Sequence, residues 1–242
     1  MKTAINQILT VLFITTLLAS CSVGIFNSVN GNRNVVTKQR TLQPDFIGIK
    51  VSNGIDLYIS QDDNTAISVE ADENLHDIIV TEVENGILKI YTEKNIWQAK
   101  ARKVFVTINQ LNSLKAKSGS DVYGEGIIKA NEIALSSSSG ADINIEIDAK
   151  NISTSASSGA AIEISGKAIN HASNAASGSS INAYNLKSNN VIVSAASGAD
   201  IDVFASEKIE AKASSGGDVD FKGNPKKISK KSSSGGSISQ KY

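Results

Sequence analysis

The chain contains a single cysteine, Cys21, in 242 residues, so no internal disulfide can form. Histidine is nearly as scarce, with His76 and His171 the only two. Acid–base and nucleophilic chemistry draws on a few converging groups, most often a histidine or a carboxylate pair. No histidine, cysteine and carboxylate cluster here has zinc spacing. Arginine occurs only at positions 33, 40 and 102, in the first half of the chain. Aromatic residues make up 5%, and 24 Lys and Arg balance 24 Asp and Glu. A nucleic-acid protein would show a basic stripe and often aromatic platforms, and neither is present. The glycines are too widely spaced for a phosphate-binding loop, and the nine-residue calcium repeat of β-rolls is missing. No apolar run reaches the ~20 residues of a membrane-spanning helix.

What remains is rich in Ser, Gly and Ala, a composition that alone would suit a disordered linker. Periodicity excludes that reading. A Ser-Gly pair recurs with Gly at 119, 140, 159, 178, 198, 216 and 235, at spacings of 21, 19, 19, 20, 18 and 19 residues. A fixed period near 20 marks a solenoid. Three positions after each Gly stand Val122, Ile143, Ile162, Ile181, Ile201, Val219 and Ile238, all β-branched and apolar. Polar residues alternate with them, as in Asp142-Ile143-Asn144-Ile145-Glu146-Ile147, which gives a strand with one buried face.

A second strand precedes each glycine. Seven positions before it, in the last six repeats, are Ile133, Ile152, His171, Val191, Ile209 and Ile228, and three before it only Ala or Ser occurs. Such a taper suits a narrow corner where small side chains fit inside. One repeat cannot bury its apolar face alone, but parallel stacking of successive repeats does so. The repeats therefore predict an all-β fold, a parallel β-helix or solenoid of ~19-residue coils. His171 falls in a column of Ile and Val, and a local slip that puts Ile169 inside is the simpler expectation. His76, in a polar segment, is expected to be solvated.

The N-terminus carries Lys2 and then an uncharged, mostly apolar run from Ile8 to Ser20, as in the core of a secretory signal. It ends in Leu18-Ala19-Ser20-Cys21, which resembles a bacterial lipobox. That resemblance implies cleavage before Cys21 and lipidation of it, and the lack of Asp after the cysteine favours the outer membrane. The expected organisation is a signal peptide over 1–20, the lipidated Cys21 and a tether over 21–40, a less regular N-terminal β region over 41–115, and a repetitive solenoid over 116–242 continuous with it. The N-terminal β region is expected to cap the solenoid with a bulkier core that includes Phe46, Tyr58 and Phe105.

Asp45-Phe46-Ile47-Gly48-Ile49-Lys50-Val51 followed by Asn53-Gly54-Ile55-Asp56-Leu57, the Ser-Gly-x-Asp-Ile repeats, and the closing Phe221-Lys222-Gly223-Asn224-Pro225 and Ser233-Ser234-Gly235-Gly236-Ser237-Ile238 carry a likeness over about residues 40–242. It resembles the bacterial family "putative auto-transporter adhesin, head GIN domain". The resemblance implies a right-handed β-helix and export to the cell envelope, and it brings no catalytic residues.

One constellation stands out, and it is acidic. Asp200, Asp202, Asp218 and Asp220 occupy equivalent outward positions on successive repeats. Stacked carboxylates ~5 Å apart repel, and a hard cation such as Ca²⁺ or a hydroxyl-rich sugar would relieve them. A solvated face with lysines nearby is the competing reading. The sequence thus points to a non-catalytic, lipid-anchored envelope protein whose partner is another envelope protein or a polysaccharide. A carbohydrate-active β-helix enzyme and a periplasmic structural or regulatory module are the alternatives.

Overall fold

The computed structural model describes residues 28–41 and 45–242, so the signal segment and Cys21 lie outside the described residues. Strand accounts for 71% of the described residues, and the strands build a solenoid of about seven turns with ~19-residue coils. The strands are β1 (Ser28–Asn30), β2 (Val35–Gln39), β3 (Gly48–Val51), β4 (Asp56–Gln61), β5 (Ala66–Asp72), β6 (Ile79–Glu84), β7 (Ile87–Thr92), β8 (Asn95–Gln98) and β9 (Arg102–Ile108). They continue with β10 (Ser113–Lys117), β11 (Asp121–Ser138), β12 (Asp142–Ser157), β13 (Ala161–Ala176), β14 (Ser180–Ala196), β15 (Asp200–Ser214), β16 (Asp218–Lys222), β17 (Lys227–Ser232) and β18 (Ser237–Gln240).

From β11 to β15 each coil is one long strand that bends once and closes at a Ser-Gly corner. In β12 the inward residues Ile143, Ile145, Ile147 and Ala149 alternate with outward ones, then Lys150 and Asn151 both face out. The alternation resumes inward at Ile152, Thr154 and Ala156. That phase change is the bend, and it divides each coil into a first sheet after the glycine and a second sheet before it. Outside the bend, Asn170 Nδ2 donates to Asn151 Oδ1 at 2.8 Å and Asn190 Nδ2 to Asn170 Oδ1 at 3.1 Å, tying three coils together.

The corner demands a left-handed backbone at both central residues. The seven corner serines have φ of 50–58° and their glycines 65–77°. Glycine adopts this region freely, whereas serine accepts a modest strain there. The compensation is a backbone ladder. The glycine N–H of each coil donates to the serine carbonyl of the next, from Gly54 to Ser118 through Gly216 to Ser234, at 3.0–3.2 Å. Just after the glycine the chain turns inward with Ser120, Ala141, Ala160, Ser179 and Ala199, all buried. The buried hydroxyls are satisfied locally, as where Ser120 Oγ accepts from Ile55 N–H at 3.2 Å.

The N-terminal half continues the stack but not in chain order. The coil formed by β3 and β4 lies between β7 with β9 on one side and β10 with β11 on the other, all parallel. Beyond it the pairing turns antiparallel, with β5 on β9, β2 on β5 and β6 on β7. This closes the solenoid end, as expected of this region. Phe46 is buried in it, but Tyr58 and Phe105 are not core residues: in strands β4 and β9 the inward set is Leu57, Ile59, Val104, Val106 and Ile108. The expected tether is also shorter than its 21–40 span, because β1 pairs with β8 and β2 with β5.

Asp72 holds this arm in place. Its buried carboxylate accepts from the backbone N–H of Arg33 at 2.9 Å, Lys100 at 3.0 Å and Ala101 at 3.0 Å. Burial alone would raise its pKa, but these donors and the Lys100 charge outweigh that and lower it. Gly31 passes so close that any Cβ there would collide with the carboxylate. At the opposite end β17 is exposed along its whole length and presents Lys227, Lys230 and Lys231 on the sheet edge. Charged edges of this kind discourage strand addition. Lys230 Nζ sits 4.7 Å from the Phe221 ring, so its stem covers the last core aromatic.

Candidate binding surface

The outward face of the first sheet carries most of the organised chemistry. Two positions after the corner glycines, Asp142, Asp121 and Asp56 stand on three successive coils, with Lys103 beyond Asp56. Burial raises the Asp121 pKa, and the neighbouring charges of Asp142 and Asp56 raise it further, while Arg102 opposes them. Burial likewise raises Asp56 against the pull of Arg102 and Lys103. Two positions further along the strands lie Phe105, Tyr58 and Tyr123, whose rings stack at centroid distances of 5.0 and 5.2 Å. They form an aromatic ladder on the outside, with ring faces largely covered by one another and edges presented to solvent.

The same row continues through Asn144, Glu163 and Asn182 to Asp202 and Asp220. Asn144 Nδ2 donates to Glu163 Oε2 at 3.3 Å. The register brings Asp200 beside Asp218 and Asp202 beside Asp220, as the spacing implies. The four do not converge on a point: among the described residues no group of three or more His, Cys, Asp or Glu side chains is arranged to hold a metal ion. Instead, Lys241 Nζ pairs with Asp220 at 3.1 Å, and the Tyr184 hydroxyl donates to Asp202. Burial raises the Asp202 pKa, the Tyr184 hydrogen bond opposes that, and the charges of Asp220 and Asp200 add to the rise. Lys222 Nζ lies 4.4 Å from the Tyr184 ring and helps balance the patch.

Both histidines depart from expectation. His76 is buried, and its Nε2 donates to the Val36 carbonyl at 3.1 Å, so the residue pins β2 and is not solvated. No slip occurs at His171, which is 2% exposed while Ile169 is 47% exposed. The reason is a matching polar pair inside the core. Thr154 Oγ1 donates to Ser173 Oγ at 3.0 Å and lies 3.0 Å from His171 Nε2. With the threonine hydrogen engaged, Nε2 carries the ring hydrogen and donates to Thr154, which leaves Nδ1 without a partner. Thr154 and Ser173 stand in the neighbouring column, where other repeats carry Leu114, Leu135, Val193, Ala211 and Lys230, and they were the available signal for an inward histidine.

Burial lowers the His171 pKa from 6.5 to about 4. The unfolded chain therefore takes up this proton first as the pH falls, and the folded state resists it. Stability from this group is complete above about pH 6.5 and is lost between 6.5 and 4, by about 3 kcal/mol in total. Urea melts of the wild type and His171→Val across pH 4–7 check this. The variant is expected to have a shallower decline between pH 6.5 and 5, above the range where most carboxylates titrate. An identical slope in both would remove His171 as the cause.

A parallel β-solenoid with flat, side-chain-decorated sheet faces, and with neither histidine at the surface, is the class of protein that this fold defines. The chain belongs to the family described as "putative auto-transporter adhesin, head GIN domain", which it matches over residues 45–225. That family points to an adhesion-like protein of the cell envelope or surface and to a non-enzymatic role. Among solved structures, the chain is similar to a putative adhesin from Bacteroides fragilis at 20% identity and TM-score 0.82, covering 88% of this chain and 100% of that one. It is similar to a putative lipid binding protein from Parabacteroides distasonis at 24% identity and TM-score 0.71, covering 89% and 100%. A putative adhesin from Parabacteroides merdae follows at 18% identity and TM-score 0.73, also covering 89% and 100%. At these identities the likeness establishes the shared fold. No curated protein matches the chain.

Proposed function

We propose that this chain is an outer-membrane lipoprotein, anchored through Cys21, that binds through the outward face of its first sheet and performs no catalysis. The carrying observation is the pair of outward rows from Lys103 and Phe105 to Asp218 and Asp220, which sets carboxylates, amides and ring edges in register over successive coils. Such side chains donate to and accept from a hydroxyl-rich partner such as a neutral polysaccharide, while the surplus of carboxylates repels acidic polymers. The second sheet offers less: its central outward positions are Ser136, Ser155, Asn174 and Ser194, flanked by Lys115 and Lys212.

The Cys21→Ser variant tests the anchor. It is expected to leave the membrane fraction or to accumulate unprocessed, because a multiply acylated cysteine supplies the membrane affinity that one chain alone does not. Unchanged membrane association with normal cleavage would contradict the anchor. Incubation of the purified protein with envelope polysaccharides, followed by an assay for new reducing ends, is expected to stay at background. A steady release would restore the carbohydrate-active reading, for which Asp56, Asp121 and Arg102 are the first residues to test.

A further inference from the structure

The first described strand, β1, begins seven residues after Cys21, a stretch that spans at most ~25 Å when fully extended. It pairs in parallel with β8, Val29 beside Ile96. Ile96 and Val29 pack against the core, and the next residue of β8, Trp97, faces outward with 62% of its surface exposed. It is the only tryptophan in the protein. The ring borders an open cleft of ≈410 Å³ beside the corner ridge, near Gly54 and Ser118. Lys94 and Lys100 flank the strand and are exposed.

An exposed tryptophan between lysines has the composition of a membrane-interface contact, in which an amphipathic ring sits at headgroup depth and ammonium groups meet anionic lipids. We propose that Trp97, with Lys94 and Lys100, makes a second, non-covalent contact with the bilayer surface that orients the solenoid on its anchor. The short tether makes the contact effectively intramolecular, so even weak intrinsic affinity is enough to populate it. The inference rests on the reading of Cys21 as the anchor, and Asp72 then links the same arm rigidly to the body through its bonds to Arg33, Lys100 and Ala101.

The test uses the mature chain from Cys21 to Tyr242, which contains every core residue of the fold. Coupling it through its sole thiol to a maleimide phospholipid in vesicles of phosphatidylethanolamine and phosphatidylglycerol supplies the tether whether or not cells attach lipid. Trp97 emission is expected to shift to shorter wavelength than in the uncoupled protein. It should also be quenched by phospholipids spin-labelled near the headgroup. A double variant, Trp97→Phe with Asn182→Trp, moves the only tryptophan to the exposed outward face of β14 and is expected to show neither effect. Water-like, unquenched Trp97 emission on the vesicles would overturn the proposal, as would equal quenching at both positions. Failure of the native anchor is read separately, from the fractionation of Cys21→Ser in cells.

Discussion

Ile181→Asp is expected to lower the unfolding free energy by about 4 kcal/mol or more, enough to unfold a domain of ordinary stability. Ile181 is buried in register with Ile162 and Ile201 on the coils above and below, so the new carboxylate would meet only methyl groups. Asn182→Asp, one residue away, adds the same group on the outside. There it stands between Glu163 and Asp202, where like charges in water cost less than about 1 kcal/mol. Paired urea melts measure both. Comparable losses would contradict the inside–outside assignment of the whole column.

The second large effect is expected at Asp72→Ala. Removing the carboxylate leaves the backbone N–H groups of Arg33, Lys100 and Ala101 without their acceptor, the Ala101 group in a buried position and the other two in part-buried ones. The orphaned Ala101 donor alone costs about 1–3 kcal/mol and the two part-buried donors add less, and the loss should be local to the capped end. Hydrogen exchange is expected to show β1 and β2 opening while the coils from β12 to β15 keep their protection. Asp63→Ala, on an exposed turn, should change stability by less than about 0.5 kcal/mol. Unaltered protection of β1 and β2 in Asp72→Ala would contradict the clamp.

The repeats were legible in the sequence because their physics is strictly periodic. A corner that only small residues fit and β-branched residues at one fixed offset repeat with the coil, so the glycine spacing is enough to place Ile143, Ile162, Ile181 and Ile201 inside. The pairing of Asp200 with Asp218 follows from the same count. What escaped was set by contacts between residues far apart in the chain. Tyr58 and Phe105 look like core residues by type, yet their strand phase puts them outside, where Tyr123 completes their stack. His171 looked like a register slip because its partners Thr154 and Ser173 lie in other positions of the repeat. Asp56 joins the acidic row only because β4 stacks on β11, a neighbour 65 residues away in the chain and invisible to a 19-residue period.

Binding through the outward face of the first sheet is tested most directly by site-specific photo-crosslinking in living cells. A benzophenone amino acid replaces Asn182 on that face in one variant and Asn174, also exposed but on the second sheet, in the other. Benzophenone inserts into C–H bonds of protein and sugar alike, so the readout does not depend on the chemical class of the partner. Irradiation is expected to give a slower-migrating adduct from position 182 and none from position 174. Adducts from 174 alone, or equal yields from both positions, would contradict the assignment of the first sheet as the binding face.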